Sequence, residues 1–217
     1  MNPDKRAARM AGVLPLLLFL LLNLGMIALL LDSGYVSAEA TKEAFAAMRE
    51  YLRRNHASAP PRALAVIDYS RPSFMKRMAI IDLKTGRQSF YRVAHGKNSG
   101  ELFARRFSNT PESNMSSLGL FRVGARYSGD HGLALRLDGL DSLRNGNAAK
   151  RDIVLHKAGY VSIPFILLNV VTGYGPMIGR SNGCFVISGG DIVEVVKKLA
   201  GGGFIYAWAT PDDNFRK

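Results

Sequence analysis

Eight short apolar or alternating segments with turn residues between them follow Arg62, and they constrain this chain more than any other feature. They read "ALAVIDY", "RMAIIDL", "SFYRVAHG", "LGLFRVG", "GLALRLDGL", "DIVLHKAGYVS", "CFVIS" and "FIYAWA". None is long enough for a self-supporting helix, and β-branched and aromatic residues recur in them, so the body is mainly β, a sandwich or barrel-like fold. One helix interrupts the series. In "GGDIVEVVKKLAGGG", Ile192, Val195, Val196 and Leu199 fall on one helical face, Asp191 is placed to cap, and glycines end the run. Residues 162–180, "SIPFILLNVVTGYGPMIGR", fit either a loop with a short strand or a short helix. Residues 95–119 form a long polar stretch, and loops of such length in compact domains usually carry function.

Two segments precede that body. Lys5, Arg6 and Arg9 lead into 21 uncharged residues from Ala11 to Leu31, and small residues follow at Val36-Ser37-Ala38 and Ala38-Glu39-Ala40. Residues 1–38 therefore read as a signal peptide or a membrane anchor, both open on length, and place the rest in the periplasm or cell envelope. Residues 39–61 form an amphipathic helix and a linker: over 39–56 Ala44, Ala47, Met48, Tyr51 and Leu52 share one side, and the prolines of the linker end the helix, which serves as a stalk or a packing helix. Residues 62–217 are left for the main domain.

The formal charge is +12, and residues 1–39 hold equal numbers of basic and acidic residues, so the exported part keeps all of it. An anionic wall polymer or membrane surface suits that balance. Nucleic acid is not expected as a partner, because the charges are scattered and no nucleic-acid motif is present. No metal-ligand spacing occurs either.

Cys184 is the only cysteine. A lone thiol in an exported chain is a buried passenger, an intermolecular linker or a nucleophile. Nucleophilic use needs a base beside it, and the chain offers His56, His95, His131 and His156. His156 ends the strand segment "DIVLH", from which its ring can reach a neighbouring loop; a core histidine bonded to backbone is the alternative. Gly183 permits a tight turn and a close approach to the Gly183 and Cys184 amides, which suits an oxyanion hole.

The segments "HGKNSG", "SNTPESNMSSLGLFRVG", "GDHGLALRLDGL", "RDIVLHKAGYVS" and "GRSNGC" resemble, in order, the motifs of one branch of the murein L,D-transpeptidase family, over residues 63 to 208. The resemblance implies an L,D-transpeptidase-like β-sandwich with one or two short helices, and peptidoglycan stem peptides as substrate, with no cofactor. Carried over position by position, Cys184 is the acylated nucleophile and His156 its general base. The Gly183 and Cys184 amides supply the oxyanion hole, and Ser181 braces the turn. Arg180 is placed to meet a substrate carboxylate. Asn182, Ser108, Asn109 and His131 are further substrate-side candidates, although Ser108 and Asn109 equally fit structural capping. His95 is expected to order a loop.

The implied reaction is attack by Cys184 on the amide between the third residue of a tetrapeptide stem and the terminal D-Ala, followed by transfer to an amine. An L,D-carboxypeptidase at the same site and a non-catalytic basic envelope-binding module are the alternatives. Asn182, Lys157, Phe185 and Val186 depart from the family pattern, and residues 162–178 resemble an insertion or lid.

Overall fold

The polypeptide divides into Met1–Asp32 and Ser33–Lys217. A computed structural model describes residues 3–56 and 60–210, with side chains described from residue 13 onward except residue 14. The charged side chains Lys5, Arg6 and Arg9, part of the expected linker and the last seven residues of the expected main domain lie outside the described set.

In the first unit, α1 (Pro3–Leu31) is a single helix through Pro15. Among the described residues, no helix is long and apolar enough to cross a membrane. The described part of α1 is nevertheless apolar on its outside, with Leu17, Phe19, Leu21, Leu24 and Leu31 exposed.

In the second unit, all eight apolar segments become strands: β1 (Ala63–Asp68), β2 (Lys76–Asp82), β3 (Gln88–Arg92), β4 (Gly119–Gly129), β5 (Gly132–Gly139), β6 (Val154–Lys157), β7 (Phe185–Ile187) and β8 (Phe204–Trp208). The residues allowed a sandwich or a barrel-like body, and of the two the strands take the barrel-like form rather than the sandwich that the resemblance implied. The strands form one sheet in the order β3-β2-β1-β8-β4-β5-β6-β7. It curls until its edges meet, since Ala94, just past β3, bridges Val186 of β7, and Gly96 bridges Ser181. Inside the curl the Phe121 and Phe185 rings meet edge-to-face at 5.1 Å. Alternating apolar strands satisfy a sandwich and a curled sheet equally, because both bury one face; edge pairing decides between them.

Besides α1, the helices match the amphipathic helix and the one or two short helices expected. They include α2 (Ala38–Arg54), α3 (Ile163–Val171) and α4 (Ile192–Leu199), with a 3-10 turn at Gly159–Val161. α4 buries Ile192, Val195, Val196 and Leu199 inside the curl, against Ala63, Ala65, Ile67 and Ile205. Its start follows Asp191 as expected, but that side chain makes no capping bond. α2 packs on the opposite face, where Ala40, Ala44 and Met48 meet Leu64, Val66, Leu120, Phe204, Tyr206 and Trp208. Hence β1 and β8 are buried at every position and read as unbroken apolar runs.

The α2 start is tied into this packing. Ser37 caps it, accepting from the Ala40 amide at 3.1 Å, while its own amide donates to the buried Asp68 carboxylate at 2.9 Å. The small-residue stretch that resembles a processing site is therefore the capped entry of a packed helix, and Ala40 is fully buried. Residues 162–180 resolve as α3 followed by a loop. Ser162 caps α3, and Pro164 sits in its first turn, where a missing N–H costs nothing.

Candidate active site

β6 and β7 run parallel, with Leu155 opposite Phe185 and His156 opposite Val186. One step back, Cys184 falls opposite Val154. Leu155 and Phe185 face the core inside the curl. Alternation then sends Cys184, Val154, His156 and Val186 to the other face. Cys184 and His156 thus project to the same side of neighbouring strands, two residues apart along the strand. Strand spacing and rise put their Cα atoms about 8 Å apart, a diagonal that side chains can span.

Cys184 is half-buried. Its sulfur lies 3.4 Å from the Asp152 carbonyl oxygen, and the Val154 amide donates to it. Burial pushes the Cys184 thiol up, and the Arg151 guanidinium opposes that. His156 is nearly buried, with Nδ1 3.0 Å from the Lys157 carbonyl oxygen. That contact makes Nδ1 the protonated nitrogen and leaves the Nε2 lone pair free to take a proton. Burial chiefly, with His131 beside it, moves the His156 imidazole below its ordinary value. The two shifts agree on the resting state: neutral thiol and neutral imidazole.

The turn before Cys184 is braced from within. Ser181 Oγ donates to the Cys184 carbonyl at 2.9 Å and accepts from the Gly183 amide at 3.1 Å. The Gly183 N–H, one of the two donors expected for an oxyanion hole, is thus engaged in the turn. The Cys184 amide instead lies against its own sulfur. Ser181 is pinned in turn: its amide donates to the His95 carbonyl and its carbonyl accepts from Lys97. Gly183 has φ +120°, and a Cβ there would stand 2.8 Å from the Met115 carbonyl oxygen and 2.9 Å from Arg151 Nη2.

The remaining sequence candidates divide. His131, at the tip of the β4–β5 hairpin, stacks on the His156 ring with centroids 4.4 Å apart. Arg180 is exposed and lies over the Phe165 ring at 5.1 Å, which joins the α3 segment to this side of the molecule. Asn182 is exposed at the turn. Ser108 and Asn109 instead line a groove of about 540 Å³ with Phe107, Leu143 and Trp208. Asn109 spends its side chain on Ser142 and Asn147, which locks two loops together.

His95 orders a loop. Arg77 donates to its Nδ1 at 2.8 Å, so its Nε2 donates to the Gly100 carbonyl at 2.9 Å. Burial and that guanidinium hold it down at about 3, neutral at any ordinary pH. Among the described residues, no three His, Cys, Asp or Glu side chains converge as a metal site.

Sequence reasoning passed over Arg151 and Tyr160. Burial raises the Tyr160 phenol, a Cys184 thiolate raises it further, and Arg180 opposes both, so this residue of the 3-10 turn lies within electrostatic reach of the sulfur. Arg151 stands five residues before His156 within "RDIVLHKAGYVS", and that shared segment was the only signal for it.

A family model described as the L,D-transpeptidase catalytic domain matches residues 33–208. Similar solved structures include an L,D-transpeptidase from Mycobacterium smegmatis, at 15% identity over 69% of this chain and 59% of that one, TM-score 0.40. L,D-transpeptidase 1 of Mycobacterium tuberculosis matches at 11% identity over 68% of this chain and 62% of that one, TM-score 0.37. An L,D-transpeptidase from Xylanimonas cellulosilytica matches at 12% identity over 74% and 69%, TM-score 0.38. The chain thus spans about three-fifths of the two mycobacterial structures. No match was found among curated proteins.

Proposed function

The chain belongs to the L,D-transpeptidase catalytic-domain family, and from that premise we propose that it is a cysteine-dependent acyltransferase acting on peptidoglycan tetrapeptide stems. One observation carries the reading: the parallel register of β6 and β7 sets Cys184 and His156 on one face, beside a braced turn, with Cys184 only half-buried. A binding module with a passenger thiol has no need of that arrangement.

His156 Nε2 takes the thiol proton as the sulfur attacks the carbonyl carbon of the third stem residue. Negative charge collects on the carbonyl oxygen, where the Cys184 amide is the donor at hand; Gly183 serves by holding the turn. The imidazolium returns its proton to the departing D-Ala nitrogen as the C–N bond breaks, leaving a thioester on Cys184. An acceptor amine then loses a proton to His156 as it attacks the thioester carbon, and the thiol is regenerated. Arg180, exposed beside Tyr160, is placed for a carboxylate of the stem. The apolar N-terminal segment and the basic charge of the remainder support a cell-envelope location, with export through residues 1–38.

The test is incubation of the purified protein with disaccharide-tetrapeptide muropeptides, read by mass. Crosslinked dimers, or stems with an exchanged terminal D-amino acid, are expected, with a transient adduct on the protein. Trimmed tripeptide alone would make it an L,D-carboxypeptidase; no adduct and no product would remove the reading.

Because burial holds the imidazole below its ordinary value, acylation is expected to rise with pH through a midpoint below that of a free histidine and then to level off. The sign follows from the base: only neutral His156 accepts the proton, and lowering the pH removes it. His156→Ala should erase this limb and slow acylation by about 10²- to 10⁴-fold. Rapid-quench acylation across pH checks both; an unchanged limb in the variant would assign the base elsewhere.

A further inference from the structure

Arg151 precedes β6, and its guanidinium holds the polar loop from several points. Nη1 donates to the Ser108 carbonyl and to Ser117 Oγ, and Nη2 donates to the Met115 carbonyl at 2.6 Å and to Ser113 Oγ at 3.2 Å. Every acceptor is a neutral oxygen, so no carboxylate cancels the charge through these bonds. Its Nε is buried without a hydrogen-bond partner. A cation kept half-buried on neutral acceptors is expensive, and a surface loop could be tied down by cheaper means.

Its location accounts for the expense. Arg151 Nη2 lies against Gly183, within 2.9 Å of where a Cβ would stand, so the guanidinium packs directly on the turn that presents Cys184. Burial lowers the guanidinium, and a Cys184 thiolate is the partner that raises it again. The influence is mutual, for Arg151 is among the groups that lower the thiol.

We infer that Arg151 is a positioning residue for Cys184: it clamps residues 108–117 against the Gly183–Cys184 turn and lends an uncancelled positive charge to the sulfur as the thiol proton leaves. Other titratable and charged groups surround the sulfur within electrostatic reach. Asp152, beside Arg151, raises the thiol; Tyr69 after β1 and Tyr160 in the 3-10 turn both respond to its charge; Arg180 stands behind Tyr160; His156 and His131 lie on the neighbouring strand and hairpin. Of these, Arg151 is the cation that acts on the thiol itself. Hence, although the resting thiol is neutral, the developing thiolate has a fixed counter-charge that needs no rearrangement to act.

The inference rests on Cys184 being the nucleophile, and its test is read without any donor peptide. Alkylation of the free thiol by iodoacetamide, followed across pH by intact mass, reports thiolate formation in the full chain. R151Q, which keeps hydrogen-bond donors but not the charge, should move the profile to higher pH and slow alkylation roughly tenfold on its rising limb. R151K keeps the charge and loses the fork; it should melt lower yet alkylate close to wild type. S117A removes one acceptor and leaves the charge, and its profile should not move. An R151Q profile superimposed on wild type, or R151K or S117A profiles displaced as far as R151Q, would reduce Arg151 to a loop brace. If R151Q does not fold, the R151K profile decides alone: near wild type supports the charge, displaced overturns it. Failure here leaves acyl transfer by Cys184 standing, and failure of acyl transfer leaves the alkylation result readable.

Discussion

Cys184→Ala is expected to abolish the covalent adduct with a tetrapeptide donor and to cut turnover by on the order of 10⁴-fold or more, while the melting temperature stays near wild type. The chemistry should vanish because the chain has no second thiol to substitute. The fold should persist because Cys184 is only half-buried and its contacts, to the Asp152 carbonyl and the Val154 amide, are weak sulfur hydrogen bonds. Ser181, not the thiol, braces the turn, so the loss leaves the local backbone in place. Intact-protein mass spectrometry beside a thermal melt gives both readings. An adduct that survives in the variant would move the acylated atom elsewhere and end the proposed mechanism. A melt that collapses would show that the thiol holds the structure, which its surroundings do not suggest.

Gly183→Ala should destabilise the fold at the turn that presents Cys184. At φ +120° an L side chain is strained, which costs of order 1–3 kcal/mol. The new Cβ would also press on the Met115 carbonyl, Arg151 Nη2 and Ile153 Cδ1, at 2.8, 2.9 and 3.0 Å. The first belongs to backbone and the second is anchored by hydrogen bonds to the 108–117 loop, so neither yields easily. Overpacking of this kind adds about another 1–3 kcal/mol. In a domain of this size the sum corresponds to a fall in melting temperature of roughly 5–15 °C. Acylation should fall with it, because relief requires the turn to move away from Arg151. A variant that melts and acylates like wild type would show that this backbone is freer than its contacts imply.

Much of this was written along the chain in short-range terms. The eight strands fell where apolar runs and turn residues placed them, and the face of α4 followed from its 3.6-residue spacing. Asp191 shows the limit of such rules: a residue at the right position makes no capping bond, because its own backbone is helical (φ −98°, ψ −17°) rather than extended. Residues 162–180 carried conflicting signals, apolar like a strand yet marked by Pro164 and several glycines. With the Ser162 cap, Ile163–Val171 form a helix, and the glycine-marked remainder is loop. Arg151 stayed hidden for another reason. Its acceptors are backbone carbonyls and serines up to 43 residues away, and a carbonyl leaves no mark in the amino-acid code.

The site divides along the same line. Sequence alone determined that Cys184 sits behind a glycine, that His156 lies in a strand, one residue before its end, and that each lies in a segment of the right chemical type, since these are properties of adjacent residues. The tertiary structure decided that β6 and β7 are parallel neighbours in a register that sends both side chains to one face, and that the sheet curls until its edges bridge at Ala94 and Val186. It also decided that the Gly183 amide is spent on Ser181 and that an uncancelled guanidinium lies under the turn. Strand pairing, edge closure and buried charge are long-range matters: each depends on which distant segments share a surface, and that is settled by the free energy of the whole packed domain.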